Sequence, residues 1–122
     1  MDNSKNLRVA VLVVEDESLI RMVIVSSLED AGFLIYEAGN ADKAILMFEE
    51  HADIRLVFTD INMPGECDGL ELARRVHLLR PDIRLILTSG KIAPTHDELP
   101  SSARFLPKPY EGRALVRLVA AA

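Results

Sequence analysis

The chain has 122 residues, of which 49% are hydrophobic and 27% charged, with a single cysteine and a formal net charge of −5. This length and apolar content suit one folded domain spanning 1–122 and exclude a disordered chain. The acidic balance argues against direct nucleic-acid binding, which needs a basic face. Cys67 cannot form an internal disulfide and no apolar run could span a bilayer, so we expect a cytoplasmic protein that is not bound to membranes.

Five short strand-like runs alternate along the chain with helical patterns. The first, third and fourth runs are almost continuously apolar, which is typical of strands covered by helices on both faces. Such an alternation predicts right-handed β-α-β units and a parallel sheet, and therefore an α/β fold. The predicted strands are residues 8–14, 33–38, 54–60, 83–89 and 104–108.

Apolar residues spaced three or four apart predict a helix in each interval but one. Asn40 is a possible helix cap, whereas Gly32 and Pro81 are stop signals. The predicted helices are residues 18–31, 40–51, 69–80 and about 111–121, and the inward stripe of the first contains Ile20, Val23, Ile24, Ser27, Leu28 and Ala31. The inward stripe of the third contains Leu72, Ala73, Val76 and Leu79.

The interval between the fourth and fifth strands has a different pattern. Thr95 and Glu98 have the spacing of a capping box, and Pro94 and Pro100 lie on either side of them. We expect one or two helical turns here. Pro107 removes a backbone donor from the fifth strand, which is tolerated at the edge of a sheet and predicts an edge position.

Polar residues stand where the predicted strands end. In α/β sheets, sites form just beyond the carboxyl ends of the strands. Three carboxylates converging there require a cation, and Mg²⁺, a hard ion that prefers oxygen ligands, fits, with Mn²⁺ as an alternative. With a metal bound, one carboxylate can attack phosphorus as a nucleophile. The strand-end residues are Glu15, Asp16, Asp60, Thr88, Ser89, Gly90, Lys108 and Pro109.

Each of these residues also has an ordinary structural interpretation. Asp16 or Glu17 could simply start the first helix, and Ser89 could be a turn residue. Lys108 could be a surface lysine, and Phe105 could belong to the core. The functional interpretation is stronger because the acids, the hydroxyl and the lysine all fall at one edge of the sheet.

Four stretches, VLVVEDE, VFTDINMPGECDGLEL, LILTSG and FLPKPY, resemble in their order and spacing the receiver domain of two-component response regulators. The likeness is to the stand-alone, CheY-like type and covers about residues 7–121. It implies a flavodoxin-like, doubly wound five-stranded parallel sheet with strand order 2-1-3-4-5. The helix that the family has between its fourth and fifth strands, its fourth helix, would be shortened here, which would alter the face through which many receivers dimerise.

The resemblance implies a chemistry for the acidic residues. Asp60 would be the phosphoacceptor, taking a phosphoryl group from a phosphohistidine as an acyl phosphate. Asp16 would bind Mg²⁺ directly, Glu15 through water, and Asn62 through its main-chain carbonyl.

It also implies roles for the other strand ends. Ser89 would hydrogen-bond a phosphoryl oxygen, in preference to Thr88, because a small residue, Gly90, follows it. Lys108 would pair with the phosphate and would form a cis peptide with Pro109. Phe105 would be the aromatic residue that rotates inward when the hydroxyl moves.

The partners implied by the resemblance are a histidine kinase or a histidine phosphotransfer protein and an unknown downstream protein. The first helix would dock on the donor through Leu19, Met22 and Val25, on the side opposite its inward stripe.

Two other functions are open, a pseudo-receiver interaction module and an aspartyl-phosphate phosphatase. Such phosphatases have a D-x-D pattern whose second Asp acts as acid and base, and in this chain Asn62 stands in its place. We therefore expect no enzymatic activity beyond the chain's own phosphorylation and dephosphorylation.

Overall fold

The structure, a computed structural model, describes residues 9–63, 68–91 and 94–122. The predicted first strand begins at residue 8, which lies outside these ranges, as does Cys67. Four α-helices, one 3₁₀ helix and five strands are present in the described part of the chain. They are β1 (Ala10–Val14), α1 (Ser18–Asp30), β2 (Leu34–Ala38), α2 (Ala41–Glu50), β3 (Ile54–Asp60), α3 (Gly69–Leu79), β4 (Arg84–Ser89), the 3₁₀ helix (His96–Glu98), β5 (Arg104–Pro107) and α4 (Gly112–Ala121).

The strands form one parallel sheet in the order β2-β1-β3-β4-β5, which confirms the predicted fold. β1 is an interior strand, next to the central β3, and all five of its residues are buried. β5 lies at an edge, as Pro107 predicted. Because all the strands run in the same direction, their carboxyl ends share one edge, and the loops after β1, β3, β4 and β5 meet there.

Two apolar clusters sandwich the sheet. The first packs β-strand residues against α2 and α3 and includes Phe48 and Leu72. The second packs the opposite face against α1 and α4 and includes Leu28 and Leu115. Both helical layers therefore approach the sheet through fully buried side chains, which fixes the strand ends between them.

Local signals set the helix ends. The Asn40 side chain accepts a hydrogen bond from the Lys43 backbone N–H at 2.8 Å, as its cap role predicted. α3 ends at Leu79, before Pro81. Between β4 and β5, Thr95 and Glu98 form the predicted capping box, and a single 3₁₀ turn replaces a full helix.

The predicted inward stripe of α1 is partly wrong. Val25, assigned to the outer side, is buried at 9% exposure and belongs to the second cluster, whereas Val23 is 65% exposed. Ile20 is also exposed, at 38%. Apolar residues run around most of this helix, so periodicity alone could not select the buried side, and packing against β2 and α4 decides it. In α3, Leu79 was predicted to face inward but is exposed, because it is the helix's last residue.

Candidate phosphoacceptor site

The ends of β3, β4 and β5 are tied together by backbone hydrogen bonds. The N–H of Ile61 donates to the carbonyl of Thr88 at 2.9 Å, and the N–H of Lys108 donates to the carbonyl of Ser89 at 3.0 Å. These bonds extend the sheet pairing one residue past the strands. They bring Asp60 and Lys108 together, although the two lie 48 residues apart in the sequence.

Asp60 and Lys108 form an ion pair. Lys108 Nζ lies 2.6 Å from Asp60 Oδ2 and 3.9 Å from Glu15 Oε1. The other oxygen, Asp60 Oδ1, accepts the Asn62 backbone N–H at 2.8 Å. Burial favours the neutral amine, but the hydrogen bond to Asp60 and the negative charges of Asp60, Glu15 and Glu17 outweigh it, so the pKa of Lys108 is raised. Lys108 therefore stays protonated beside the buried carboxylate of Asp60.

Glu15 is the most buried acid of the site, at 2% exposure. Burial, together with the neighbouring Asp16 and Asp60 carboxyls, raises its pKa to about 7, although the Glu17 backbone N–H donates to its Oε2 at 3.0 Å and opposes the shift. Asp16 itself is exposed, directly after Glu15. The site thus concentrates more negative charge than Lys108 can balance.

The donor set suits a hard cation that keeps water ligands. In the ranges that the structure describes, no three His, Cys, Asp or Glu side chains converge closely enough to enclose a metal by themselves. The predicted convergence of three carboxylates is therefore looser than a closed cage, because Lys108 and backbone N–H groups already bind Glu15 and Asp60. Mg²⁺ usually keeps several water ligands and is held by one or two carboxylates rather than by a closed protein cage, so this looser set of acids fits it.

The two neighbouring hydroxyls have different partners. Thr88 Oγ1 donates to the Leu106 carbonyl at 2.6 Å and so joins β4 to β5. Ser89 Oγ donates to the side-chain oxygen of Asn62 and accepts the Lys91 backbone N–H at 3.0 Å. Ser89, rather than Thr88, therefore lies on the side of the site, next to the segment that follows Asp60.

The remaining predicted residues lie around this centre. Phe105, on β5, is partly buried against the first cluster. The Lys108–Pro109 peptide that follows β5 is cis, as predicted. Gly90 is exposed, and a Cβ there would meet Lys108 Cβ at an ordinary 3.7 Å, so the position does not sterically require glycine.

Tyr110 is half-buried and packs edge-on against Phe58, at 6.2 Å between ring centroids. Burial and the charges of Glu15 and Asp60 raise the pKa of Tyr110 to about 12.

Sequence reasoning missed two residues that shape this site. Arg21 Nη1 donates to the main-chain carbonyl of Glu15 at 2.6 Å, and nothing in the local pattern distinguishes this arginine from a surface residue. Gly69 opens α3 directly against the Asp60 backbone, where a Cβ would lie 1.9 Å from the Asp60 carbonyl oxygen. A glycine at the first position of a helix was the available signal for this close approach.

No helix within the described part of the chain is both long and apolar enough to cross a membrane.

Known proteins resemble this chain in sequence and in fold. The response regulator receiver domain family matches residues 11–120. The response regulator receiver protein CpdR of Brucella abortus (strain 2308) is 35% identical over 109 residues, which cover 87% of this chain and 89% of CpdR. The sensor kinase CckA of the same organism is 36% identical over 113 residues, covering 89% of this chain, and the match spans only 12% of CckA.

Solved structures agree with the sequence matches. A response regulator receiver protein from Sinorhizobium medicae WSM419 superposes with a TM-score of 0.87 at 30% identity, and the match covers 93% of each chain. The receiver domain of the hybrid histidine kinase CckA gives a TM-score of 0.78 at 28% identity, covering 92% of this chain and 96% of that domain. With its flavodoxin-like 2-1-3-4-5 sheet and its match over residues 11–120, the chain belongs to the response regulator receiver family of two-component signalling.

Proposed function

We propose that this receiver accepts a phosphoryl group on Asp60 in a Mg²⁺-dependent reaction and thereby switches partner binding or relays phosphate. One observation carries the proposal: a nearly buried Asp60 pairs with Lys108 at 2.6 Å, within a site whose other acids leave an excess of negative charge. A buried carboxylate beside a fixed cation, at the edge where parallel strands end, is suited to receive a charged group. The membership of the chain in the receiver family supports the same assignment.

In the proposed reaction, an Asp60 carboxylate oxygen attacks the phosphorus of a phosphohistidine. An O–P bond forms, the P–N bond breaks, and the imidazole leaves with the electron pair and takes up a proton. Mg²⁺ would be held by Asp16, Asp60 and the Asn62 carbonyl, with Glu15 acting through water, and when bound it would supply positive charge against the phosphoryl oxygens.

The chain's own residues assist this transfer. Lys108 already points its ammonium group at Asp60 and would follow the negative charge to the incoming phosphoryl group. Ser89 can exchange its hydrogen bond to Asn62 for one to a phosphoryl oxygen, because a hydroxyl rotates freely. This exchange is the event that would alter the β4–β5 side of the domain and signal phosphorylation to a partner.

Incubation with acetyl phosphate and Mg²⁺ tests the phosphoacceptor. Intact-protein mass measurement should show one added phosphoryl group on the wild type and none on Asp60→Asn, which keeps the shape but removes the nucleophile. Asp82→Asn, at the amino-terminal side of β4, is a matched control and should be phosphorylated like the wild type. An adduct of equal yield on Asp60→Asn would sink the assignment, and no adduct on any protein would favour a pseudo-receiver.

We propose that the chain is not a multiple-turnover phosphatase. Such an enzyme needs a second acid to protonate the leaving group or activate water. The residue two positions after Asp60 is Asn62, whose side-chain oxygen accepts a hydrogen bond from Ser89. It is therefore an amide, held by a neighbour, at the place where an acid would be required.

We propose that the phosphodonor, a histidine kinase or a histidine phosphotransfer protein, docks on α1. Leu19 and Met22 are 74% and 63% exposed, and Ile20 and Val23 are also exposed. A groove of about 550 Å³ runs from this helix to the loop around Pro109, next to the site. Exposed apolar residues next to an open groove are suited to receive a partner helix. The receiver domain of CckA, to which this chain is similar, belongs to a hybrid histidine kinase, and this supports a histidine kinase as the class of partner.

A further inference from the structure

Arg21 joins three segments of the chain beside the three acids that follow β1, residues 15–17. Its Nη1 donates to the main-chain carbonyl of Glu15 at 2.6 Å, and its Nε donates to Glu37 Oε1 on β2 at 3.0 Å. The Arg21 side chain is only 20% exposed, whereas that of Glu37 is 53% exposed. The guanidinium is therefore a partly buried connector between α1, β2 and the end of β1, rather than a member of a solvated surface ion pair.

The backbone of Glu15 is held on both sides. Its N–H donates to the Ala38 carbonyl at 3.2 Å, and its carbonyl accepts from Arg21. Gly39 leaves the space for this contact, since a Cβ at that position would lie 3.2 Å from Arg21 Nη1. Because the Glu15 carbonyl belongs to the peptide plane that connects Glu15 to Asp16, fixing it also fixes the position of the Asp16 Cα, from which that side chain starts.

We propose that Arg21 is a positioning residue for the Mg²⁺ site, because it holds the Glu15–Asp16 peptide, which carries two of the proposed ligands, in place at the end of β1. The inference rests on the proposed Mg²⁺-dependent function. Arg21 touches neither the metal nor the phosphoryl group in this account and acts only through the main chain. Groups that orient metal ligands in this way typically change metal affinity by about 10- to 100-fold when they are removed.

The charge of Arg21 makes the proposal easy to separate from simple electrostatics. A guanidinium near a cation site repels the cation, so its removal would tighten Mg²⁺ binding if charge were its only contribution. If Arg21 positions the loop, its removal instead weakens Mg²⁺ binding. The two accounts therefore predict opposite signs for the change in affinity.

The experiment measures the Mg²⁺ dissociation constant by calorimetry, and the Mg²⁺ dependence of Asp60 phosphorylation by acetyl phosphate, for the full chain. For Arg21→Met we expect a dissociation constant raised about tenfold and a maximal rate, at saturating Mg²⁺, within about twofold of wild type. Arg21→Lys keeps the positive charge but loses the forked donors of the guanidinium, so its Mg²⁺ dissociation constant should also be raised. Circular dichroism at the temperature of the titration tests whether each variant is folded. If Arg21→Met is unfolded, Arg21→Lys is used to test the inference.

Glu37→Gln is the matched control, because it removes the negative charge opposite Arg21 while its amide oxygen can still accept from Arg21 Nε and the bond to Glu15 stays in place. Its Mg²⁺ dissociation constant should stay within about twofold of wild type. Unchanged or tighter Mg²⁺ binding by the Arg21 variants overturns the inference, as does an equal loss in Glu37→Gln. A wild type that binds no Mg²⁺ and is not phosphorylated would instead contradict the proposed function itself.

Discussion

Individual residues at this site carry conflicting physical demands. Glu15 and Asp60 are buried acids that share one lysine, which is an arrangement that costs stability in the absence of another cation. A domain evolved for stability alone would replace such a cluster with apolar side chains. That the charges persist at the one edge where the strand ends meet indicates that they serve binding and chemistry.

Gly69 shows how closely the backbone is packed around the phosphoacceptor. A Cβ here would lie 1.9 Å from the Asp60 carbonyl oxygen, 2.7 Å from the Asp60 carbonyl carbon and 2.8 Å from Ile61 Cα. These are backbone atoms of the β3 end, so they cannot rotate away as a flexible side chain could. The absence of a side chain at Gly69 therefore lets α3 begin directly against Asp60.

We predict that Gly69→Ala lowers the free energy of unfolding by about 1–3 kcal/mol, the usual cost of overpacking, and slows phosphorylation by acetyl phosphate because Asp60 shifts. Chemical denaturation and the mass assay measure the two effects. Gly112→Ala is the control, since Gly112 also opens a helix but its Cβ would meet only the side chain of Ser27, at 3.3 Å. Equal stability of the Gly69 and Gly112 variants would contradict the proposed steric role of Gly69.

At the scale of helices and strands, most of the architecture could be predicted from the sequence because its signals are local. Apolar runs, the Asn40 cap, Pro81 and the Thr95–Glu98 box fix element type and ends within one or two residues. The site could be predicted in outline for the same reason, because parallel strands must end at a common edge. The roles of Asp60, Ser89 and Lys108 in phosphorylation remain predictions.

Long-range contacts could not be predicted in the same way. Val25 is buried and Val23 exposed because of how α1 lies against β2 and α4, which no periodicity in a largely apolar helix can specify. Arg80 donates to the carbonyls of Phe48 and Ile54 at 2.9 and 2.6 Å, and its guanidinium carbon lies 3.8 Å from the centre of the Phe48 ring. It thus links the end of α3 to the end of α2, across a distance in sequence that no local motif spans.

The exposed apolar residues of α1 lead to a prediction about docking. Leu19→Glu or Met22→Glu should slow phosphotransfer from the cognate kinase by about tenfold or more, as expected for apolar anchors near an interface centre, and leave phosphorylation by acetyl phosphate unchanged. Leu46→Glu on α2, a leucine that is 59% exposed, is the matched control and should affect neither route. If the α1 variants slow both routes equally, these residues support the fold rather than the partner. If they slow neither, docking lies elsewhere.

On the scale of the whole molecule, the fold separates stability from function along the strand direction. The sheet is sealed by two apolar clusters over most of its length, and the unbalanced acids are confined to the carboxyl edge. The net charge of −5 adds to the repulsion felt there, because the chain has 19 Asp and Glu residues against 14 Lys and Arg. A divalent cation at this edge should therefore stabilise the entire domain, since a ligand that binds only the folded state shifts the unfolding equilibrium.

We predict that Mg²⁺ at ten times its dissociation constant stabilises the wild type by about 1.4 kcal/mol, or roughly 5 °C in Tm for a domain of this size. Thermal melts with MgCl₂, and with NaCl at equal ionic strength, measure the specific part of this shift. Glu15→Gln should melt higher than the wild type without Mg²⁺, because Glu15 is only 2% exposed and a neutral amide there removes a buried negative charge next to Asp60. The double variant Asp16→Ala, Asp60→Ala should lose the Mg²⁺ shift, and if Mg²⁺ stabilised it as much as the wild type, the cation would have to bind elsewhere on the molecule.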